Sequence, residues 1–388
     1  MTPVELSRTV LRAVRCAVDD GELSVAVPVR VVVGPPGAGG RGDYATGIAL
    51  QLARSAGQPP LRVAEVLRSY LARAEGVTGV EITGPGFLNI SLDGSAVSDL
   101  VRRVRSEGVR YGHSERLAGR VFEVRVPYEV RAEVLADVLA RIIGAQGGRV
   151  DVLHGLRNGV LHGVRNGVLH GVRNGVRHGV LQGLGHGREG GTPLLAVPAP
   201  EDPAFLGLDA ARWALLHPAP HDRPRITADH LVQRESNPLF RVRYAHARIR
   251  AVRRNAADLG FAADPGPGPG LADGRDLVAL LADYPRVLAT AVHDVPDVPE
   301  VPAVPVVTSA PTPTPTPTPT PDPSAPSRLT RHLLSVADAA LPLLPDVLPR
   351  GEEKPSAAHR ARLALAEAAG VVLAGGLSLL GIDAPDHL

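Results

Sequence analysis

An eight-residue unit repeats near the middle of this chain: LHGLRNGV (153–160), LHGVRNGV (161–168), LHGVRNGV (169–176), then a decaying RHGVLQGL (177–184). Each unit carries two glycines, and each glycine disfavours a helix by about 1 kcal/mol relative to alanine. A few short coils without caps would bury little, which weighs against a β-solenoid. The repeat is therefore read as a flexible linker over 151–202, and the chain as several folded parts rather than one continuous core. Near-identity of the copies points to DNA slippage.

His154, His162, His170, His178 and His186 recur every eight residues. Imidazoles suit Zn or Ni, but this spacing supplies no closed tetrahedral set, so no metal site is expected. Arg157, Arg165 and Arg173 lie in a Gly-rich tract of a kind that can touch RNA; the linker reading is preferred. Proline makes a second break. VPDVPEVPAVPVVTSAPTPTPTPTPTPDPSAPS (295–327) reads as an extended spacer within an insertion over 293–327.

Between these breaks the periodicities are clear. Val4, Val10, Leu11, Val14 and Val18 mark a helix in 1–25, and VPVRVVV (27–33) reads as a strand. Asp43 is placed to cap a helix through Leu52, and a second helix is expected over 61–74. GVEITGPGFLNISL (79–92) reads as two strands about the turn Gly84-Pro85-Gly86. A helix over 96–107 leads out of this small α+β domain. RVFEVRVPY (120–128) and EVRAEVLADVLARIIGAQGG (129–148) read as the strand and helix that open an α/β sheet whose remaining strands do not follow. Helices are expected again in 203–260, 276–292, 328–344 and 356–380.

Charge is uneven. Residues 261–388 hold 8 basic and 15 acidic groups, a net −7, within a chain whose total is +2. A basic front suits a negative partner. Lys354 is the only lysine, so the positive charge is almost all Arg, as a GC-rich coding sequence would give. Guanidinium forks suit phosphates and base edges. Cys16 is the only cysteine, which fits a reducing compartment and excludes a disulfide within one chain. No signal peptide, no membrane-spanning apolar stretch and a cytoplasmic location are expected.

The densest feature is NPLFRVRYAHARIRAVRRNA (237–256). Asn237 can cap a helix and Pro238 suits its first turn. Val242, Ala245, Ile249 and Val252 form one stripe; Arg243, Arg250 and Arg254 form another; Arg241, Tyr244 and Arg248 form a third. Residues 237–254 contain six Arg and no acid. Such a helix offers phosphate neutralisation beside a ring on which an unpaired base can stack. A solvated basic face with Tyr244 and His246 packed inside is the plain alternative.

This helix resembles the Asn-Pro-(aromatic)-Val-Gln-Tyr-Ala-His-Ala-Arg helix of the arginyl-tRNA synthetase anticodon-binding domain. LGLDAARWALL (206–216) is similar to the segment before it, and ARLALAEAAGVVLAGGLSLLGIDAPDHL (361–388) to the family's closing helix and tail. GDYATGIALQLARSAGQPPLRVAEVL (42–67) and VEITGPGFLNISL (80–92) resemble the family's N-terminal additional domain, which contacts the tRNA elbow. The resemblance implies a multidomain chain. An additional-domain-like α+β unit covers 1–118, a truncated α/β catalytic remnant 119–150, and an all-α anticodon-binding-like bundle 203–388. It implies tRNA as partner, arginine tRNA favoured, and no cofactor. Candidate tRNA contacts are Arg241, Arg243, Tyr244, His246, Arg248 and Arg250, with Phe87 and Asn89 in the N-terminal domain; a core position is the alternative for Phe87.

The departures are specific. Pro127-Tyr128 runs straight into a helix where the family has its His-x-Gly-His ATP loop, and one late lysine cannot supply a Lys-Met-Ser-Lys signature. Arg243 replaces the family's Gln, and Leu388 its terminal Met. The expectation is a non-catalytic tRNA-binding protein, with regulation as a role open to it. The alternatives are a protein-interaction module that no longer binds RNA, or ligase activity with a partner in trans.

Overall fold

The computed structural model describes residues 3–388 apart from 35, 38–39, 93, 155–176, 181–190, 267–273 and 294–318. The N-terminal unit comprises α1 (Pro3–Asp19), β1 (Tyr44–Thr46), α2 (Ile48–Ala56), α3 (Pro60–Leu71), β2 (Val77–Thr83) and β3 (Phe87–Leu92). The three strands form an antiparallel sheet in the order β1-β3-β2. Leu6, Val10 and Val14 of α1 pack with Val63 and Leu67 of α3 and with Leu88 and Ile90 of β3, all fully buried.

Two local expectations fail here. Residues 27–33 form no strand; Val31 and Val33 are buried within a loop held by Thr46 Oγ1 donating to the Val32 carbonyl at 2.8 Å and by a single bridge from Gly34 to Ala45. Asp43 caps no helix. Its Oδ2 accepts from the Leu92 amide at 2.8 Å, and Gly47 precedes α2. In both cases the neighbouring sheet takes the polar groups that local propensity would assign to the segment itself.

α4 (Gly94–Glu107) leads to β4 (Val121–Val126), α5 (Val130–Gly144) and β5 (Arg149–His154). Contrary to the sequence reading, the sheet continues. β6 (Arg177–Val180) and β7 (Thr192–Pro193) complete a four-stranded parallel sheet, order β6-β5-β4-β7. Residues 151–154 and 177–180, read as linker, are therefore strand. The start of β5, just before the repeat, alternates buried Val150 and Val152 with half-exposed Asp151. The rest of the repeat lies outside the described residues.

α6 (Gly207–Leu216), α7 (Pro238–Asp258), α8 (Arg275–Ala289), β8 (Val292–His293), β9 (Thr320–Pro321), α9 (Ala325–Ala340) and α10 (Ala357–Leu380) make the C-terminal unit. Most of the proline-rich insertion lies outside the described residues. Its two ends meet as the β8–β9 ladder, where buried Asp322 accepts from Arg328 Nη2 at 2.5 Å and pairs with His293 Nε2 at 3.0 Å. Helix α9 starts within the stretch read as spacer.

Helix α10 is long and apolar enough by composition to cross a membrane, its best 18-residue window having a mean hydropathy of 1.9. That window is 72% buried inside the protein, so the helix is apolar because it is surrounded. A Cβ on Gly370 would lie 3.0 Å from Ile249 Cγ2 of α7, and one on Gly376 would collide with Leu333 of α9. Glycine at these steps lets three helices approach closely.

One core runs from Leu100 to Ile382, uniting the parallel sheet with the helical bundle. The long separations that a flexible linker would allow are therefore not what is seen. Tyr111 donates to the Leu281 carbonyl at 3.0 Å, and Arg105 pairs with Glu367 at 2.8 Å. Fully buried Arg131 of α5 donates to the carbonyls of Leu215 (3.0 Å), Val197 (2.7 Å), Pro218 (3.1 Å), Ala219 (2.8 Å) and Asp222 (2.7 Å). A buried guanidinium needs acceptors on every edge, and here carbonyls of the end of α6, of the loop after it and of Val197 supply them.

Candidate nucleic-acid interface

Helix α7 is fixed at its start by Asn237. Its Oδ1 accepts from the Leu239 and Phe240 amides at 3.1 and 3.4 Å, and its Nδ2 donates to the His230 and Val232 carbonyls, both at 2.9 Å. One side chain thus caps the helix and fastens the preceding loop. Val242, Ala245, Ile249 and Val252 are buried as their spacing requires.

The polar side is less simple than a free arginine stripe. Arg241 pairs with Asp338 of α9, Arg243 with Asp209 of α6 at 3.4 Å, and Arg250 with Asp386 at 2.7 and 3.2 Å. Arg253 approaches Glu367 at 3.4 Å and Arg254 lies 3.3 Å from His387 Nδ1. Arg248 is exposed and has no carboxylate partner among the described residues. Tyr244, 37% exposed, stacks on Phe240 one turn earlier with centroids 5.5 Å apart and planes at 21°. This gives a rigid aromatic ledge with one accessible end.

His246 does not share that surface. It is 5% exposed, and its Nδ1–H donates to the Pro385 carbonyl at 2.9 Å. Burial pushes its pKa below the usual value, against the opposing pull of the Pro385 carbonyl. Its role is to pin the C-terminal tail on α7. That tail leaves α10 through Gly381 in the left-handed region (φ +69°), buries Ile382, and places Asp386 on Arg250.

Two candidates on β3 separate. Phe87, which could have been core, is 44% exposed beside the hairpin turn. Asn89 is 2% exposed and donates to Thr83 Oγ1 at 2.7 Å. The loop at Gly40 covers it so closely that a Cβ there would lie 2.8 Å from Asn89 Oδ1. Asn89 therefore serves the fold in this conformation.

A cavity of about 480 Å³ opens between the start of α6, the loop at His230–Gln233, the first turns of α7 and the C-terminal residue Leu388. Its lining includes Leu208, Leu231, Phe240 and Leu388 together with Asp209 and Arg243. Sequence reasoning missed Asp209 as a site residue. The Leu-Asp-Ala-Ala-Arg run was read as a resemblance, without the contacts it makes: Asp209 faces Arg243, and Arg212 faces Asp137 and the Leu380 carbonyl. Among the described residues no group of three or more His, Cys, Asp or Glu could hold a metal ion.

Residues 242–388 match the DALR anticodon binding domain, and residues 8–92 the Arginyl tRNA synthetase N terminal domain. The chain is related to the arginyl-tRNA synthetases. It is 41% identical over 161 residues to the arginine-tRNA ligase of Frankia alni, covering 38% of this chain and 28% of that one. It is 42% identical over 163 residues to that of Renibacterium salmoninarum, covering 39% and 30%. The chain thus spans about 30% of the length of these curated relatives. In fold it is similar to the arginyl-tRNA synthetase of Thermus thermophilus, with a TM-score of 0.62 at 16% identity, the match covering 100% of each chain. It is similar too to that of Plasmodium falciparum, with a TM-score of 0.61 at 8% identity, covering 100% of this chain and 99% of that one.

The expectation that the chain is not an enzyme is corrected by these relatives, which carry the name of an enzyme, arginine-tRNA ligase. The absent ATP-loop and Lys-Met-Ser-Lys residues remain facts of the sequence. They are local motifs, and the inference from them to lack of activity outran them.

Proposed function

We propose that this chain binds tRNA through the α7 face of its DALR domain, with arginine tRNA as the favoured partner. The observation that carries the reading is the exposed Tyr244 ledge between exposed Arg248 and the carboxylate-paired Arg241 and Arg250, within a domain of the anticodon-binding family. A stacked base gains about 1–3 kcal/mol on such a ring. The arginines then meet phosphates, and exposed pairs such as Arg250–Asp386 hold them in place at little net cost. Phe87 offers a second exposed ring on the N-terminal unit.

Binding of the purified chain to an arginine tRNA and two unrelated tRNAs across a salt series tests this. Tight binding is expected, with log K falling linearly against log salt. Replacing Arg248 and Tyr244 with Glu and Ala should weaken it by tenfold or more; unchanged affinity would remove this face from the interface. Arginine-dependent ATP–pyrophosphate exchange on the same preparation measures whether the activity named for the relatives is present.

A further inference from the structure

We infer that the N-terminal unit is a hinged arm, latched on the helical bundle by the Glu5–Arg103 ion pair, and that the latch sets the reach between Phe87 and the Tyr244 ledge. The second half rests on the tRNA-binding reading and adds to it what spaces the two exposed rings.

The N-terminal unit has a core of its own. Among the described residues, the buried cluster from Leu6 to Ile90 is separate from the one that runs from Leu100 to Ile382. Units joined without a large shared apolar interface move relative to one another by default. Helix α4 belongs to the other side of the joint. Its Leu100, Val101 and Val104 are buried in the larger cluster, and its Arg105 Nε donates to Glu367 of α10 at 2.9 Å. Tyr111, shortly after α4, stacks on Tyr284 of α8 with centroids 6.1 Å apart and planes at 16°. The α4 segment is thus bolted to the bundle at both ends, and the N-terminal unit is not.

The latch lies where α4 meets α1. Arg103 and Arg105 are two residues apart, about 200° around a helix. One therefore reaches back to the N-terminal unit while the other grips α10. Arg103 Nη1 donates to Glu5 Oε1 at 2.6 Å, and both side chains are half-exposed. The bond is short and charge-assisted, yet open to water and salt. Beside it the unit also rests on α8. Tyr44 of β1 is buried, and its phenol is raised above the ordinary range by that burial, then by the carboxylates of Asp43 and of Asp283 on α8. A half-exposed ion pair shifts a two-state equilibrium by about fivefold at most. That is enough to bias an arm and too little to weld it. Glu5 and Arg103 are positioning residues: they act through the placement of Phe87, which neither touches the ligand for nor replaces.

The test uses the full chain with two spin labels. Cys16, the only cysteine and exposed on α1, carries one; A257C, at the exposed end of α7, carries the other. Dipolar distance measurement then reads the arm without any RNA. E5Q and R103M should each raise the population at altered distances by up to about fivefold, and the double variant should raise it no further than either single change. Raising salt should bring the parent chain towards the variants. Distances unchanged in both single variants, or effects that add in the double, would overturn the latch. Binding of an arginine tRNA and of its isolated anticodon hairpin supplies the second readout. Both variants should weaken the whole tRNA by up to about fivefold and leave the hairpin unchanged. An equal loss on the hairpin, or a gain on the whole tRNA, would overturn the spacing role. If the parent chain binds neither RNA, the tRNA reading fails and the spacing role with it, while the distances still decide the latch.

Discussion

Replacing Arg212 with Met should destabilise the C-terminal unit by about 3–5 kcal/mol, because it breaks a buried ion pair on which three helices converge. Arg212 of α6 and Asp137 of α5 have side chains only 3% and 5% exposed, and Arg212 Nη2 donates to Asp137 Oδ2. Arg212 Nε also donates to the Leu380 carbonyl of α10 at 2.8 Å. Methionine fills much of the volume but leaves that carbonyl without its donor, at about 1–3 kcal/mol. Asp137 keeps one partner, Arg141 Nε at 3.2 and 3.3 Å, so the loss should fall toward the lower end of the range. Trp213, the only tryptophan and fully buried next in sequence, reports unfolding of this region by fluorescence in urea. In a double-mutant cycle, D137L with R212M should cost at least 1 kcal/mol less than the sum of the single changes, since no charge is then left buried alone. A loss below 1 kcal/mol in R212M, or additive single changes, would refute the argument that this pair holds the α/β unit to the closing helix.

Burial pushes the His332 imidazole down to about 4. Its folded value lies below the ordinary 6.5, so the unfolded chain takes up the proton first as pH falls: stability is whole above about 6.5, is lost towards 4 by up to about 3 kcal/mol, and H332L should remove much of that slope in urea titrations at stepped pH. N237A removes the α7 cap and should cost about 1–2 kcal/mol, measured as a fall in the urea midpoint. D386A releases Arg250 from its tail carboxylate and should raise tRNA affinity by less than about fivefold at low salt, with the gain vanishing at high salt; a fall in affinity would show that the tail itself contributes to binding.

What could be read in advance depended on whether a segment's behaviour was set by its own residues. The β2–β3 hairpin was legible because Gly84 and Gly86 accept positive φ and few other residues would. The buried stripe of α7 and its Asn237 cap were legible because both depend on spacing along one helix. Residues 27–33 were misread because an apolar run satisfies a strand and a buried loop alike, and only the position of Thr46 decides. The parallel sheet was missed because β6 lies across β5, far along the chain, inside a repeat whose period of eight masks a period of two.

The candidate site divides in the same way. From the sequence alone came the concentration of arginine and one tyrosine on a single helix, and the two end domains by resemblance, because composition and helical phase are properties of the chain itself. Which of those arginines are free was decided by tertiary structure. Asp209, Asp338 and Asp386 come from three other segments, and they leave Arg248 open while holding Arg243 beside the cavity. Coulombic pairing acts over a few ångströms in space, and nothing in the linear order of residues fixes which carboxylate arrives within that distance.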